Sequence, residues 1–417
     1  MKKNIPEIRF KGYQGEWVAT TLRDVVIRVA SKNEDNRVTL PLTISARHGL
    51  ISQTEFFNSR IAAKNVRDYY VIRKGEFAYN RSTSDSSPFG AVKRLDRYDA
   101  GVLSTLYLVF RISSDNIHSN YLVSYFSTGN WHQHIAENAA EGARNHGLLN
   151  ITAEDFFSTP IKAPIETAEQ EKIGLFLKTL DKLIEKLEAK LDKLRKLKQA
   201  LLNKMFINVN GGGKVPEIRF KGYNEGWTTT VLMELASKMA EKNASRVHKV
   251  VLTNSAEYGI IDQRHYFERE IVNGNNVQGY YVVQKNDYVY NPRISTSAPV
   301  GPINRNKLGL IGIVSPLYYV FRFNDHAPNF EYLDYFFKSS VWHKFMFTYG
   351  NSGARSDRFS ISDALFITLP IQHPKAELEQ IQIGTALSNL EQVIQKTDLK
   401  LTKIRAVKQS LLQKMFA

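Results

Sequence analysis

Cysteine is absent from the 417 residues, which excludes a disulfide framework and any thiolate metal site and fits a reducing compartment. No apolar run approaches the ~20 residues needed to span a bilayer. Met1-Lys2-Lys3-Asn4 meets Pro6-Glu7 before any apolar stretch, so no signal peptide is expected and the chain is read as cytoplasmic. Neither G-x-x-x-x-G-K-[ST] nor G-x-G-x-x-G occurs, so both nucleotide-binding signatures are missing. Pro-Pro occurs nowhere, which excludes the Asn/Asp-Pro-Pro-aromatic motif of adenine amino-methyltransferases. Asn291-Pro292-Arg293 comes nearest and has the wrong third residue. His132-Gln133-His134 has no cluster of acidic ligands beside it, and the matching stretch further on has Phe345 where the second histidine would be. No metal site is expected. The serine-rich run Arg81–Ser87 has no histidine placed to act as its base. Catalytic residues are therefore expected to be absent, and the chain is read as a binding protein, not an enzyme.

Positive charge is abundant. The net charge is +15 and the isoelectric point about 9.6. Two long helical stretches hold +3 and +2 of that excess, and the rest lies in the remaining segments. Such an excess favours a polyanionic partner.

The first long stretch organises the chain. Ile173, Leu180, Leu187, Leu194 and Leu201 recur every seven residues, with Phe176, Leu183 and Leu197 at the second seam position. That is a coiled-coil pattern, and Leu177, Ile184 and Leu191 widen its apolar stripe. Ile383, Leu390, Ile404 and Leu411 repeat the first seam near the other end, and Ala386, Val393 and Val407 repeat the second. Lys190 and Lys400 fall at second-seam positions. Each is read as lying over the apolar stripe with its ammonium in water. Thr167 is the expected N-cap of the first helix, with Gln170 completing a capping box.

The rest of the chain repeats as well. Pro6-Glu7-Ile8-Arg9-Phe10-Lys11-Gly12-Tyr13 returns as Pro216-Glu217-Ile218-Arg219-Phe220-Lys221-Gly222-Tyr223, and Trp131-His132 as Trp342-His343. Gly142-Ala143-Arg144 returns as Gly353-Ala354-Arg355, always at an offset of 210 or 211. Short aromatic and β-branched runs at Tyr69–Ile72, Glu76–Tyr79 and Leu106–Ile112 read as strands. Tyr121–Phe126 and Tyr332–Phe337 read as helices. The expected fold class is α+β: a tandem pseudo-twofold repeat of two mixed α/β globular domains, each followed by a long helix, the helices packing as an antiparallel coiled coil. The boundaries are 1–163 and 215–373 for the globular domains, 164–207 and 374–417 for the helices, and 208–214 for a Gly-rich linker.

Polar loops repeat on this scaffold with altered side chains, as two readers of different sequences should. In the first half they carry Arg47, His48, Arg81, Ser82, Thr83, Ser84, Lys93, Arg94, Arg144, Asn145 and His146. In the second they carry Asn254, Ser255, Tyr258, Arg293, Ser295, Thr296, Arg305, Arg355, Ser356 and Arg358. Arginine and lysine reach guanine edges, asparagine pairs with adenine, and hydroxyls donate to bases or phosphates. These residues are the candidate DNA contacts.

With its duplication, its Gly-x-Arg signals at Gly142–Arg144 and Gly353–Arg355, and its Pro-Ile steps at Pro160-Ile161 and Pro370-Ile371, the chain resembles the specificity (S, HsdS) subunit of type I restriction–modification enzymes. Glu169-Gln170, its echo Glu379-Gln380, and the Leu-Leu-x-Lys-Met-Phe endings add to the likeness. The resemblance implies two target-recognition domains, each reading half of a bipartite, asymmetric site in double-stranded DNA. The helices would act as a ruler for the unread spacer and recruit two modification (M) subunits that methylate adenine. Restriction (R) subunits would cleave. It also implies that S-adenosylmethionine, ATP and Mg sit on those partners and that this chain binds no cofactor. Forty helical residues span about 60 Å, enough for two readers one DNA turn apart. The alternative is a stand-alone duplicated DNA-binding or coiled-coil adaptor protein without a methyltransferase. A module of a related fused system differs only in its partners.

Overall fold

The computed structural model describes residues 4–45, 48–85, 87–139, 147–207, 213–266, 277–352 and 357–416. They fall into two compact units, one of Met1–Glu188 with Leu399–Ala417 and one of Ala189–Asp398. Each unit thus combines a globular part with half of each long helix. Most of the expected linker, 208–212, lies outside the described residues.

In the first unit a four-stranded antiparallel sheet runs in the order Val26–Val29, Leu108–Ile112, Phe77–Asn80, Ala91–Arg94. Its central strands are buried on both faces, and the twofold side-chain alternation divides them between two cores. Phe77, Tyr79, Leu108 and Phe110 face a core with Trp17, Trp131 and Phe156, whereas Ala78 and Val109 face Leu42, Ile72 and Leu103. Aromatic pairing adds to burial on the first face: Phe77 stacks on Phe110 at 5.3 Å and Tyr79 on Phe156 at 4.4 Å. Hairpin Leu42–Ser45 with Gly49–Ser52 and the pair Tyr70–Arg73 with Ala100–Leu103 cover the second core. Val18–Thr21 pairs with Pro160–Ala163, which delivers the chain to the first long helix.

The second unit repeats the plan with Ala236–Met239, Tyr319–Phe323, Tyr288–Tyr290 and Ile303–Arg305. Tyr288, Tyr290 and Phe321 join one core, and Val289 and Val320 the other. Thr228–Val231 pairs with Pro370–His373 ahead of the second long helix.

The long helices are Thr167–Lys204 and Glu377–Met415. Thr167 lies inside the first helix instead of capping it: Glu166 O accepts from Glu169 N at 3.0 Å. Gln170 forms no capping box either. Its buried amide accepts from His118 N at 2.7 Å and donates to Asn116 O at 2.9 Å and Pro164 O at 2.7 Å. Three backbone groups of neighbouring segments take up the amide, which leaves none of it for the helix terminus. Gln380 plays the same part, with Asn329 N and Pro374 O.

The helices run antiparallel within each unit. Lys408 pairs with Asp181 and Arg405 with Glu188 in the first. Lys198 meets Glu391 at 2.7 Å and Arg195 meets Asp398 at 3.3 Å in the second. The seam phase differs from the expected one. Ile173, Leu177, Leu187, Leu191 and Leu202 are the buried positions, and Ile383, Leu387, Leu401 and Leu412 their counterparts. On each helix taken by itself, heptad-spaced positions stay exposed, Phe176, Leu183 and Leu197 on the first and Val393 and Val407 on the second, and Lys190 and Lys400 fall at the same spacing instead of in the seam. The cause lies beside the helices. Each must also pack on a short helix of its own unit, Ser119–Tyr125 or Phe330–Lys338, and that turns the Leu177 and Leu387 rows inward. Gly174 and Gly384 allow the approach. A Cβ on Gly174 would stand 2.5 Å from Asn120 Cβ, and one on Gly384 2.7 Å from Glu331 Cβ.

Candidate nucleic-acid interface

The candidate residues that converge do so at one place in each unit, where the chain leaves the strand ending at Asn80 or Tyr290. Asn80 Oδ1 accepts from Ser82 N at 3.0 Å, and Asn291 Oδ1 from Arg293 N at 3.0 Å, an Asx turn that starts both loops. A second loop then pairs with the first. In the first unit Thr83 N donates to Gly147 O at 2.7 Å and Leu149 N to Arg81 O at 2.9 Å, framing the bridge Ser82–Leu148. In the second Ile294 N donates to Asp357 O at 3.1 Å and Phe359 N to Pro292 O at 2.7 Å, framing the bridge Arg293–Arg358. Two loops far apart in sequence thus form one small ribbon. Gly90 and Gly301 close its base at φ +77° and +83°, since a Cβ there would strike Asn80 O or Asn291 O.

The ribbon presents different chemistry in the two units. Ser82 and Ser84 are exposed on the first, with Thr83 half-buried and its hydroxyl bonded to Gly147 O. Arg81 is held down by the Leu106 and Ile151 carbonyls, each at 3.2 Å. On the second, Arg293, Ser295, Thr296 and Arg358 are all exposed. His48 and Tyr258 are exposed on the hairpins, and Tyr258 leaves 62% of its surface to solvent.

Other candidates are engaged by neighbours within the fold. Arg94 bonds Asp96, Ser119 Oγ at 2.7 Å and Asn120 Oδ1 at 3.0 Å. Arg305 grips Asp334 at 3.0 and 2.7 Å and covers the Phe330 ring. Asn254 is buried, donating to Val289 O at 2.6 Å and Pro302 O at 3.1 Å and accepting from Asn304 at 2.7 Å. Ser255 is buried beside it and accepts from Glu257 N and Tyr258 N. Burial pushes the Lys93 ammonium down, as does Lys408, against the pull of Asp181. Arg47, Arg144, Asn145, His146, Arg355 and Ser356, and so both Gly-x-Arg signals, lie outside the described residues. His134 Nε2 lies 2.9 Å from Asp155 O, and His132 packs on Trp131, so both imidazoles have structural neighbours. Leu148 was missed by loop chemistry because it is apolar, yet its offset of 210 from Arg358 marks it as the matching position.

A solved structure described as the S subunit of a type I restriction–modification system from M. genitalium superposes with a TM-score of 0.59 at 12% identity, covering 99% of both chains. The fold is that of a type I S subunit. A chain from a structure described by complex assembly and conformational transition of the type I R-M system superposes with a TM-score of 0.50 at 16% identity, over 98% of this chain and 99% of that one. No protein-family model and no curated protein matches the sequence. The S-subunit fold therefore accounts for both the duplicated sheets and the antiparallel helices. No helix among the described residues is long and apolar enough to cross a membrane.

Proposed function

We propose that this chain is the DNA-recognition subunit of a type I restriction–modification complex, working in the cytoplasm. Each globular domain reads one half of a bipartite, asymmetric target in double-stranded DNA, and the helices set the unread spacer. The observation that carries this reading is one scaffold built twice with different side chains at the same ribbon positions, Ser82 and Leu148 against Arg293 and Arg358. A repeat kept only for stability would have no reason to vary its exposed loops while keeping its cores.

The chain itself performs no chemistry in this reading. Two M subunits bring S-adenosylmethionine and methylate adenine, and R subunits bring ATP- and Mg-dependent cleavage. The exposed apolar positions Phe176, Leu183 and Leu197 of the first helix, and Val393 and Val407 of the second, support such recruitment, because apolar side chains left at heptad spacing on a helix fit a protein partner. The arginines and hydroxyls of the ribbons and the net charge of +15 support a DNA ligand.

Co-expression with the candidate M subunit tests the reading. A complex of the two that retards duplex DNA, where neither alone does so with equal affinity, is expected. A chain that binds DNA fully by itself and never retains the M subunit points instead to the stand-alone adaptor.

A further inference from the structure

We infer that Arg293 and Arg358 of the second unit clamp one backbone phosphate of bound DNA between them, an interaction for which the first unit has no equivalent. The inference rests on the DNA-recognition reading above. The two bonds framing Arg293–Arg358 make it a non-hydrogen-bonded antiparallel pair, in which Cα atoms approach to about 4.5 Å and side chains leave on the same face. Like charges placed directly opposite weaken a ribbon. Among the described residues Arg293 has no carboxylate partner, and Arg358 has only Asp357 at 3.8 Å, whose side chain is itself half exposed. The ribbon therefore holds a repulsion that an anion relieves.

The anion fits a phosphate better than a base. A guanine edge offers two acceptors, which a single guanidinium fork fills, leaving the second arginine unneutralised. A phosphodiester offers a full charge and several lone pairs that two forks can share. At the same scaffold position the first unit carries Ser82 and Leu148, which bring no charge.

The test is the salt dependence of binding by the full-length chain to mixed-sequence duplex DNA. The slope of log K against log salt falls by about 0.9 for every phosphate that the protein ceases to neutralise. R293A/R358A is expected to lower the slope by about one and to weaken binding equally on unrelated duplexes. R293K/R358K is expected to restore most of the slope, and S82R/L148R to raise it. An unchanged slope in R293A/R358A, or a weakening confined to duplexes of one sequence, overturns the clamp. If R293A/R358A does not fold, the S82R/L148R slope decides, and no rise there overturns the clamp too. Failure of the wild-type chain to bind any duplex, alone or with its M subunit, overturns the DNA reading itself.

Discussion

The Arg219 guanidinium grips the Glu379 carboxylate at the start of the second long helix, Nε to Oε1 at 2.7 Å and Nη2 to Oε2 at 2.9 Å. Glu379 leaves 1% of its side chain to solvent, and Trp227 Nε1 lies 3.4 Å from the same Oε1. The hydrogen bond to Glu379 raises the arginine above its ordinary value. Arg9 and Glu169 repeat the pair in the first unit at 2.7 and 2.8 Å. The Glu-Gln motif thus ties the helix to the Pro-Glu-Ile-Arg segment of its own unit.

Glu379→Ala leaves the guanidinium and the indole N–H without their acceptor. Breaking a buried pair costs about 3 kcal/mol or more, so the second unit is expected to unfold at clearly lower urea concentration. An unfolding midpoint equal to wild type would contradict this.

Gly384→Ala sets two effects against each other. Alanine gains about 1 kcal/mol of helix propensity. Its Cβ meets Glu331 Cβ at 2.7 Å and Glu331 C at 2.9 Å, and such overpacking costs about 1–3 kcal/mol. Because part of the overlap is with backbone, the helix Phe330–Lys338 must shift, and the net effect is expected to be destabilising. A raised melting temperature would show that the helices do not approach so closely.

Acid is expected to weaken the second unit in two windows. Burial holds the His343 imidazole at about 4, so its neutral form is favoured in the folded state and stability falls as pH drops from about 6.5 toward 4. Burial alone would raise the Glu391 carboxyl, but Lys338 and Lys198 overcome it and hold it at about 2. That stability, about 1–2 kcal/mol after solvent screening, is present above the unfolded value near 4.5 and lost as pH falls toward 2. Urea titrations across pH should show His343→Gln flattening only the upper window and Glu391→Gln only the lower. The same slope in all three proteins would refute the assignment.

The seam phase gives a direct contrast. Leu191→Ala, at a buried position, should cost about 2–5 kcal/mol. Leu183→Ala, at an exposed position, should cost less than about 1 kcal/mol. Equal losses would return Leu183 to the seam.

The duplication, the element types and the two long helices were legible because they rest on local periodicity and on a constant offset. The seam phase was not. Three adjacent apolar rows line each helix, and which two are buried depends on the helices at Ser119–Tyr125 and Phe330–Lys338, which no heptad count contains. The partners of the loop residues were not legible for a related reason. Arg94 and Arg305 look free in sequence, but Asn120 and Asp334 stand 26 and 29 residues away and become partners only once the chain folds. The opposition of Arg293 and Arg358 likewise needs the ribbon, although the repeat had already placed both in loops.

Methylome sequencing of a cell expressing this chain with its candidate M subunit tests the central claim most directly. The account expects new N6-methyladenine in both halves of an asymmetric, two-part motif with a fixed spacer. No new methylation, from subunits shown to assemble with S-adenosylmethionine present, would contradict it.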